Sequence, residues 1–117
     1  MRPEPGSTLI VDIDGVISDA SARQHFLDAA ERDWWGFFNA SVDDPPIYES
    51  LKLVNRLAEG HVIALLTARP EKLASTTLTW LDKNKIDWDL LFMRDDDDFR
   101  SSPDTKFDLL SKITYFA

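Results

Sequence analysis

The sequence predicts an α/β domain in which a parallel sheet carries helices on both faces, and three observations lead there. Short apolar runs rich in β-branched and aliphatic residues recur along the chain, at Leu9-Ile10-Val11-Asp12-Ile13-Asp14, His61 to Leu66 and Trp88 to Met93. Between them, apolar residues fall at helical spacing. The length of 117 residues with 44% hydrophobic content fits a single domain with a core of its own.

Each element has its own signal. Residues 1–8, Met1 to Thr8, read as a loose leader, and residues 9–117 as the domain. The first apolar run closes at Gly15 and is too short for an independent helix, so it reads as a buried strand. Residues 20–42 place Phe26, Ala30, Trp34, Phe37 and Phe38 near helical spacing, with Gly36 pointing to two short helices or one bent one. That aromatic stripe has two readings, packed core or the lip of a substrate mouth, and such stripes are more often core. Asp44-Pro45-Pro46 reads as a helix start with Asp44 as the cap, followed by Ile47, Leu51, Val54 and Ala58 on one face and a stop at Gly60. The second strand ends at Thr67. Pro70 is expected to open the next helix, with Leu73, Thr77, Trp80 and Leu81 turned inward. After the third strand, a short helix carries Lys106, Leu109 and Leu110, and Ile113 to Phe116 forms a fourth strand.

Composition removes several classes of function. With no cysteine there is no disulfide framework, thiolate zinc site or cysteine nucleophile. No run of about 20 apolar residues could span a bilayer, and the N-terminus lacks the apolar stretch of a secretory signal, so a cytoplasmic protein is expected. The net charge of −8 argues against broad, sequence-independent DNA binding but not against a phosphorylated substrate. His25 and His61 lack metal-ligand spacing, and Asp95 to Asp98 reads as a solvated loop rather than a calcium loop. The sequence carries no signal for oligomeric state.

Ligands of open α/β sheets sit at the carboxyl ends of the strands. Those ends carry Asp12 and Asp14, Thr67, and Arg94, with Lys106 near the start of the last helix. This set suits phosphoryl chemistry. A carboxylate is repelled by a phosphate dianion unless a divalent cation and a lysine offset the charge. Attack by Asp12 needs a second carboxylate to protonate the leaving oxygen and then deprotonate water, and Asp14, two residues on, points to the same side of an extended strand. Gly15 lets the backbone turn so that amides can face a phosphate, and the positive end of the helix near Pro70 would help Thr67 hold an oxygen. Arg69 and Arg94 are each evenly balanced between a site residue and a surface ion pair.

Val11-Asp12-Ile13-Asp14-Gly15-Val16 resembles the first motif of the haloacid dehalogenase (HAD) superfamily, Leu65-Leu66-Thr67-Ala68-Arg69 its second, and Lys106 after Pro103-Asp104-Thr105 its third. The Thr-x-Arg form and the Met93-Arg94 region look most like the phosphatase domains of the polynucleotide kinase–phosphatase group. The resemblance implies a Rossmann-like sheet with minimal or no cap. It implies Asp12 as nucleophile and Mg²⁺ ligand, and Asp14 as general acid/base that also lends the metal a carbonyl. Thr67 and Lys106 would bind the phosphoryl group, and Arg69 would add a phosphate contact. The implied substrate is a phosphomonoester, with a nucleotide or nucleic-acid end among the candidates. Two positions depart from the pattern: Val16 stands where threonine is common, and the fourth, acidic motif belongs just beyond Phe116, where the chain ends at Ala117. Hence a second reading, a non-catalytic or partner-completed phosphate-binding module. A phospho-receiver domain fits poorly, because the middle strand ends Leu65-Leu66-Thr67 without an aspartate.

Overall fold

The structure is a computed structural model that describes residues 7–28, 30–98, 100 and 103–109. Three parallel strands form one sheet in the order β1-β2-β3: β1 is Thr8–Asp12, β2 is Val62–Pro70 and β3 is Leu90–Arg94. The expected fourth strand, Ile113 to Phe116, lies outside the described residues. β1 starts one residue inside the expected leader, at Thr8.

The central strand is built for burial on both faces. Ile63, Ala64, Leu65 and Leu66 are all buried, and successive residues of a strand face opposite sides. Ile63 and Leu65 join Ile13, Ile17, Val54, Trp80, Leu81 and Ile86 in the main core. Leu66 turns the other way and packs with Leu109 and Phe92, so the helical residues 103–109 cover the second face. Helices α3 (Tyr48–Leu57) and α4 (Ala74–Lys83) cover the first, α4 through the buried Thr77, Trp80 and Leu81 that the sequence turned inward.

Between β1 and α3 the described chain forms a 3₁₀ turn at Ser21–Arg23 and two short helices, α1 (His25–Asp28) and α2 (Trp34–Asn39), with no separate cap domain. Asp33 caps α2 by accepting the Gly36 amide at 2.9 Å. Gly36 lies inside that helix because a Cβ there would run into the Asp33 carboxylate and the Phe26 ring. The aromatic stripe divides: Phe37 is buried, while Trp34 and Trp35 are half exposed.

Two expected helix starts shift. Asp44 does not cap α3; Ile47 occupies the cap position, and the buried Asp44 carboxylate turns inward to a tertiary partner. Pro70 remains extended at the end of β2, and α4 begins only at Ala74 after a 3₁₀ turn. No described helix is long and apolar enough to cross a membrane.

Candidate active site

β1 delivers Asp12 to the carboxyl edge of the sheet, where it pairs in register with Leu66; Thr67 is the next residue of the neighbouring strand. The chain then turns. The Ile13 carbonyl accepts the amides of Val16, Ile17 and Ser18, and Gly15 takes φ +81°, a conformation that glycine alone adopts freely. The Gly15 amide donates to the Ser18 carbonyl at 2.8 Å, so this N–H serves the turn and is not presented to a phosphate.

The two carboxylates meet different surroundings. Asp12 accepts the Ile13 amide on Oδ1 at 3.0 Å and the Lys106 ammonium on Oδ2 at 2.5 Å, and both side chains of that ion pair are about one third exposed. Lys106 is carried there by residues 103–109, anchored through Leu109 in the core and through Thr105, whose hydroxyl donates to Asp98 at 3.1 Å. Asp14 is clamped by two arginines. Arg23 Nη2 lies 2.6 Å and Arg69 Nη2 2.7 Å from Asp14 Oδ1, and Arg69 Nε donates to the same carboxylate. Burial alone would raise the Asp14 pKa, but hydrogen bonding and charge from Arg69, then from Arg23, outweigh it and hold the carboxyl below the ordinary 3.8.

Behind the clamp lies a second carboxylate. Asp44 accepts from Arg23 Nε and Nη2, at 2.8 Å each for the shorter contacts, and from the Ser18 hydroxyl at 2.6 Å. The Arg23 guanidinium also donates to the Phe37 carbonyl and lies 4.3 Å from the centre of the Phe37 ring. Trp80 Nε1 donates to the Asp44 carbonyl at 2.8 Å, which fixes this segment to α4. Two buried guanidiniums and two carboxylates thus satisfy one another, as buried charges must.

Of the residues expected at the site, Asp12, Asp14, Thr67, Arg69 and Lys106 do share one sheet edge. Thr67 is buried, and its hydroxyl oxygen accepts the Arg69 amide at 3.1 Å. The late start of α4 separates that hydroxyl from the helix end once expected to assist it. Arg69 has other partners than a substrate phosphate: it is fully buried, and its guanidinium is committed to Asp14 and the Thr77 hydroxyl. Arg94 donates to the carbonyls of Asp98 and Arg100 and so braces the loop after β3 instead of making a surface ion pair. Of the four aspartates of that loop, Asp95, Asp96 and Asp97 are exposed, as a solvated loop requires, with Asp96 accepting the Lys72 amide. Asp98 is partly buried and pairs with Arg100. Sequence reasoning missed Arg23 and Asp44 as site residues. The only sequence signal was indirect, an Asp14 carboxylate at a strand end in need of a counter-charge.

Among the described residues no group of three or more His, Cys, Asp or Glu side chains could hold a metal ion. The accessible Asp12 carboxylate and nearby backbone carbonyls remain as donors. That set suits magnesium, which takes one or two carboxylates and completes its shell with water and substrate phosphate.

The profile of the polynucleotide kinase PNKP phosphatase domain, of HAD type, matches residues 6–114. The chain belongs to this family. Among solved structures, the PNKP-type fold of this chain is similar to a chain of the Pnkp1/Rnl/Hen1 RNA repair complex, at TM-score 0.71 and 24% identity over 92% of this chain and 32% of that one. A second structure of the Pnkp1/Rnl/Hen1 complex gives TM-score 0.71 and 25% identity over 95% of this chain and 36% of the other. A class C acid phosphatase from Bacillus anthracis, solved with tungstate bound, gives TM-score 0.63 and 15% identity over 94% of this chain and 48% of that enzyme. The PNKP-type domain thus spans about a third of the first two chains and about half of the third. A search of curated proteins yields no significant match.

Proposed function

We propose that this PNKP-type HAD domain hydrolyses phosphomonoesters through an aspartyl-phosphate on Asp12, with phosphate ends of nucleotides or nucleic acids as its substrates. The observation that carries the proposal is the contrast at the β1 turn: an accessible Asp12 carboxylate beside an ammonium at 2.5 Å, and an Asp14 carboxylate two residues on held by buried guanidiniums. Membership of a phosphatase family and the occurrence of similar folds in an RNA repair complex and an acid phosphatase support it. A cytoplasmic setting is part of this reading.

In the first half-reaction an Asp12 carboxylate oxygen forms a bond to phosphorus while the ester P–O bond breaks, and the leaving oxygen takes a proton to become an alcohol. In the second, water attacks the phosphorus, gives up a proton, and the bond to Asp12 breaks to release inorganic phosphate. Lys106 offsets the repulsion between the carboxylate and the incoming dianion. It is also placed to move from Asp12 to the phosphoryl oxygens as they arrive. Thr67 would hold one of those oxygens through its hydroxyl proton. Magnesium, held by Asp12 and the Asp14 carbonyl, would supply positive charge to the same oxygens.

In this reading Asp14 carries the proton, and the two arginines that hold its carboxyl below the ordinary range keep it ionised at rest. Donating a proton therefore requires that Asp14 first gain one against that field. Substrates with poor leaving groups depend on this step most. Asp14→Asn should cost an alkyl phosphate about 10²–10⁴-fold in kcat, the range of general acid–base catalysis, and p-nitrophenyl phosphate much less. Equal losses on both would remove the proton-carrying role from Asp14.

The whole proposal is tested by phosphatase assay of the chain with magnesium, with EDTA, and as Asp12→Asn. Activity is expected with magnesium alone and only with Asp12 intact. Hydrolysis that persists in Asp12→Asn would rule out the nucleophile assignment.

A further inference from the structure

Lys106 reaches Asp12 from a short piece of helix, residues 103–109. Isolated helices under about 12–15 residues are marginal in water, so tertiary contacts must fix the register of this one. Thr105, Asp108 and Leu109 fall at i, i+3 and i+4 and therefore share one face. Leu109 is the apolar anchor, buried with Leu66 and Phe92. A single apolar anchor holds the helix down but leaves it free to roll. The two polar residues of the same face supply the second hold, and both go to one partner, the Asp98–Arg100 pair.

The Arg100 amide and Nε each donate to Asp98 Oδ1 at 3.0 Å, and Nη2 donates to Oδ2 at 2.8 Å. Asp98 Oδ2 also accepts the Thr105 hydroxyl at 3.1 Å, and Arg100 Nη1 pairs with Asp108 Oδ2. Arg94, the last residue of β3, donates from Nη1 to the carbonyls of Asp98 and Arg100 at 3.1 and 2.8 Å. A continuous path thus runs from the end of β3, through Asp98 and Arg100, to the residues on either side of Lys106. Thr105 is buried and Asp98 only 12% exposed, whereas Arg100 and Asp108 are half exposed. Half-exposed ion pairs contribute little to stability. A planar guanidinium fork that reaches two carboxylates at once does, however, fix geometry. Arg100 also holds the Asp98 carboxyl far below the usual carboxylate range, so the pair stays charged at neutral pH.

We propose that Arg100 is a positioning residue: with Asp98 it clasps Thr105 and Asp108 and so sets where the Lys106 ammonium stands against Asp12. The inference rests on the phosphatase reading for what Lys106 does, and deepens it by naming what holds Lys106 in place. The lysine stem is long and flexible, so its ammonium is only as well placed as the backbone that carries it. Arg100 acts through Lys106 and touches no reacting atom. Arg100→Lys keeps the charge but loses the fork that bridges both carboxylates.

Two measurements test this. The first needs no turnover: a water-soluble carbodiimide joins Asp12 to Lys106 through an amide while the two are in contact, and mass spectrometry of the digest reads the yield. Set against an Asp12→Asn blank, the yield should fall severalfold in Arg100→Ala and in Arg100→Lys. Asp108→Asn opens one limb of the clasp at a half-exposed position and should lower the yield in the same direction, even if Arg100→Ala fails to fold. The second is a double-mutant cycle on p-nitrophenyl phosphate turnover with magnesium. Arg100→Ala should lower kcat by about 10- to 100-fold, the cost of a small misplacement. In the Lys106→Ala chain the same change should cost under about twofold, because the two residues act as one unit. Arg100→Ala should also keep its thermal midpoint, which circular dichroism checks, since the side chain it removes is half exposed. An unchanged amide yield in Arg100→Ala and Asp108→Asn would overturn the positioning role. So would an equal fold-loss with and without Lys106, which is what direct contact between Arg100 and substrate would give. Absence of hydrolysis by the intact chain sinks the phosphatase reading alone, because the amide yield still reports what holds Lys106.

Discussion

Asp12 and Asp14 leave the same strand two residues apart, yet they sit in opposite kinds of environment. Asp12 meets a single ammonium at a third-exposed surface, delivered by a helical segment at the far end of the sequence. Asp14 meets two buried guanidiniums that are themselves braced by Asp44, Thr77 and the Phe37 carbonyl. The accessible pair can exchange partners at low cost, because an exposed ion pair contributes little. The buried network cannot, because removing one member strands a charge away from water. A site that must bring one carboxylate to a phosphate while fixing another at a set distance needs both kinds of environment.

The largest break in this contrast comes from removing Arg23. Arg23→Ala leaves Asp44 with Arg69 at 3.9 Å as its nearest remaining cation, and should cost about 3–5 kcal/mol of stability in urea unfolding. Lys106→Ala should cost under about 1 kcal/mol by the same measurement, since its pair is solvated. Its phosphatase activity should nonetheless fall by about 10²-fold or more, as removal of a charge-stabilising donor usually does. If both variants lost stability equally, the distinction between a structural clamp and a mobile pair would fail.

A smaller effect should appear with pH. The folded pKa of Asp14 is depressed, so its share of stability is fully present above the unfolded value of 3.8 and is lost as pH falls through the folded value. Urea midpoints should therefore hold steady on this account from pH 7 down to about the ordinary carboxylate value, then decline. In Arg69→Ala the part of that acid-side decline due to Asp14 should shrink, because Arg69 is the stronger of the two influences on this carboxyl. An unchanged acid-side decline would place the depression elsewhere.

The sequence made one half of this comparison legible and concealed the other. Three apolar runs pointed to three buried strands; only the central β2 is buried along most of its length, while β1 and β3 are largely half-buried or exposed. The strand-end rule placed Asp12, Asp14 and Thr67 at one edge, and Lys106 was read from the start of the last helix. Gly15 was readable because a tight turn after a strand needs a residue free to take positive φ. The clamp was concealed because nothing local marks Arg23 as buried; it sits in a polar stretch, and its burial is set by partners 21 and 14 residues away. Asp44 was misread because Asp-Pro-Pro is a good helix start, and the tertiary demand of Arg23 overrode that local preference. The aromatic stripe was left between core and the lip of a mouth, with core favoured, because periodicity cannot say which side of a six-residue helix faces inward.

The central claim is that Asp12 forms the covalent bond while Asp14 stays in its clamp. Acid-quenching the chain during turnover of a phosphomonoester with magnesium, then digesting it for mass spectrometry, addresses that directly. The account predicts one phosphoryl group on the Asp12 side chain, and none on Asp14. A phosphoryl group on Asp14, or steady turnover by an Asp12→Asn chain with no acyl-phosphate at all, would contradict it.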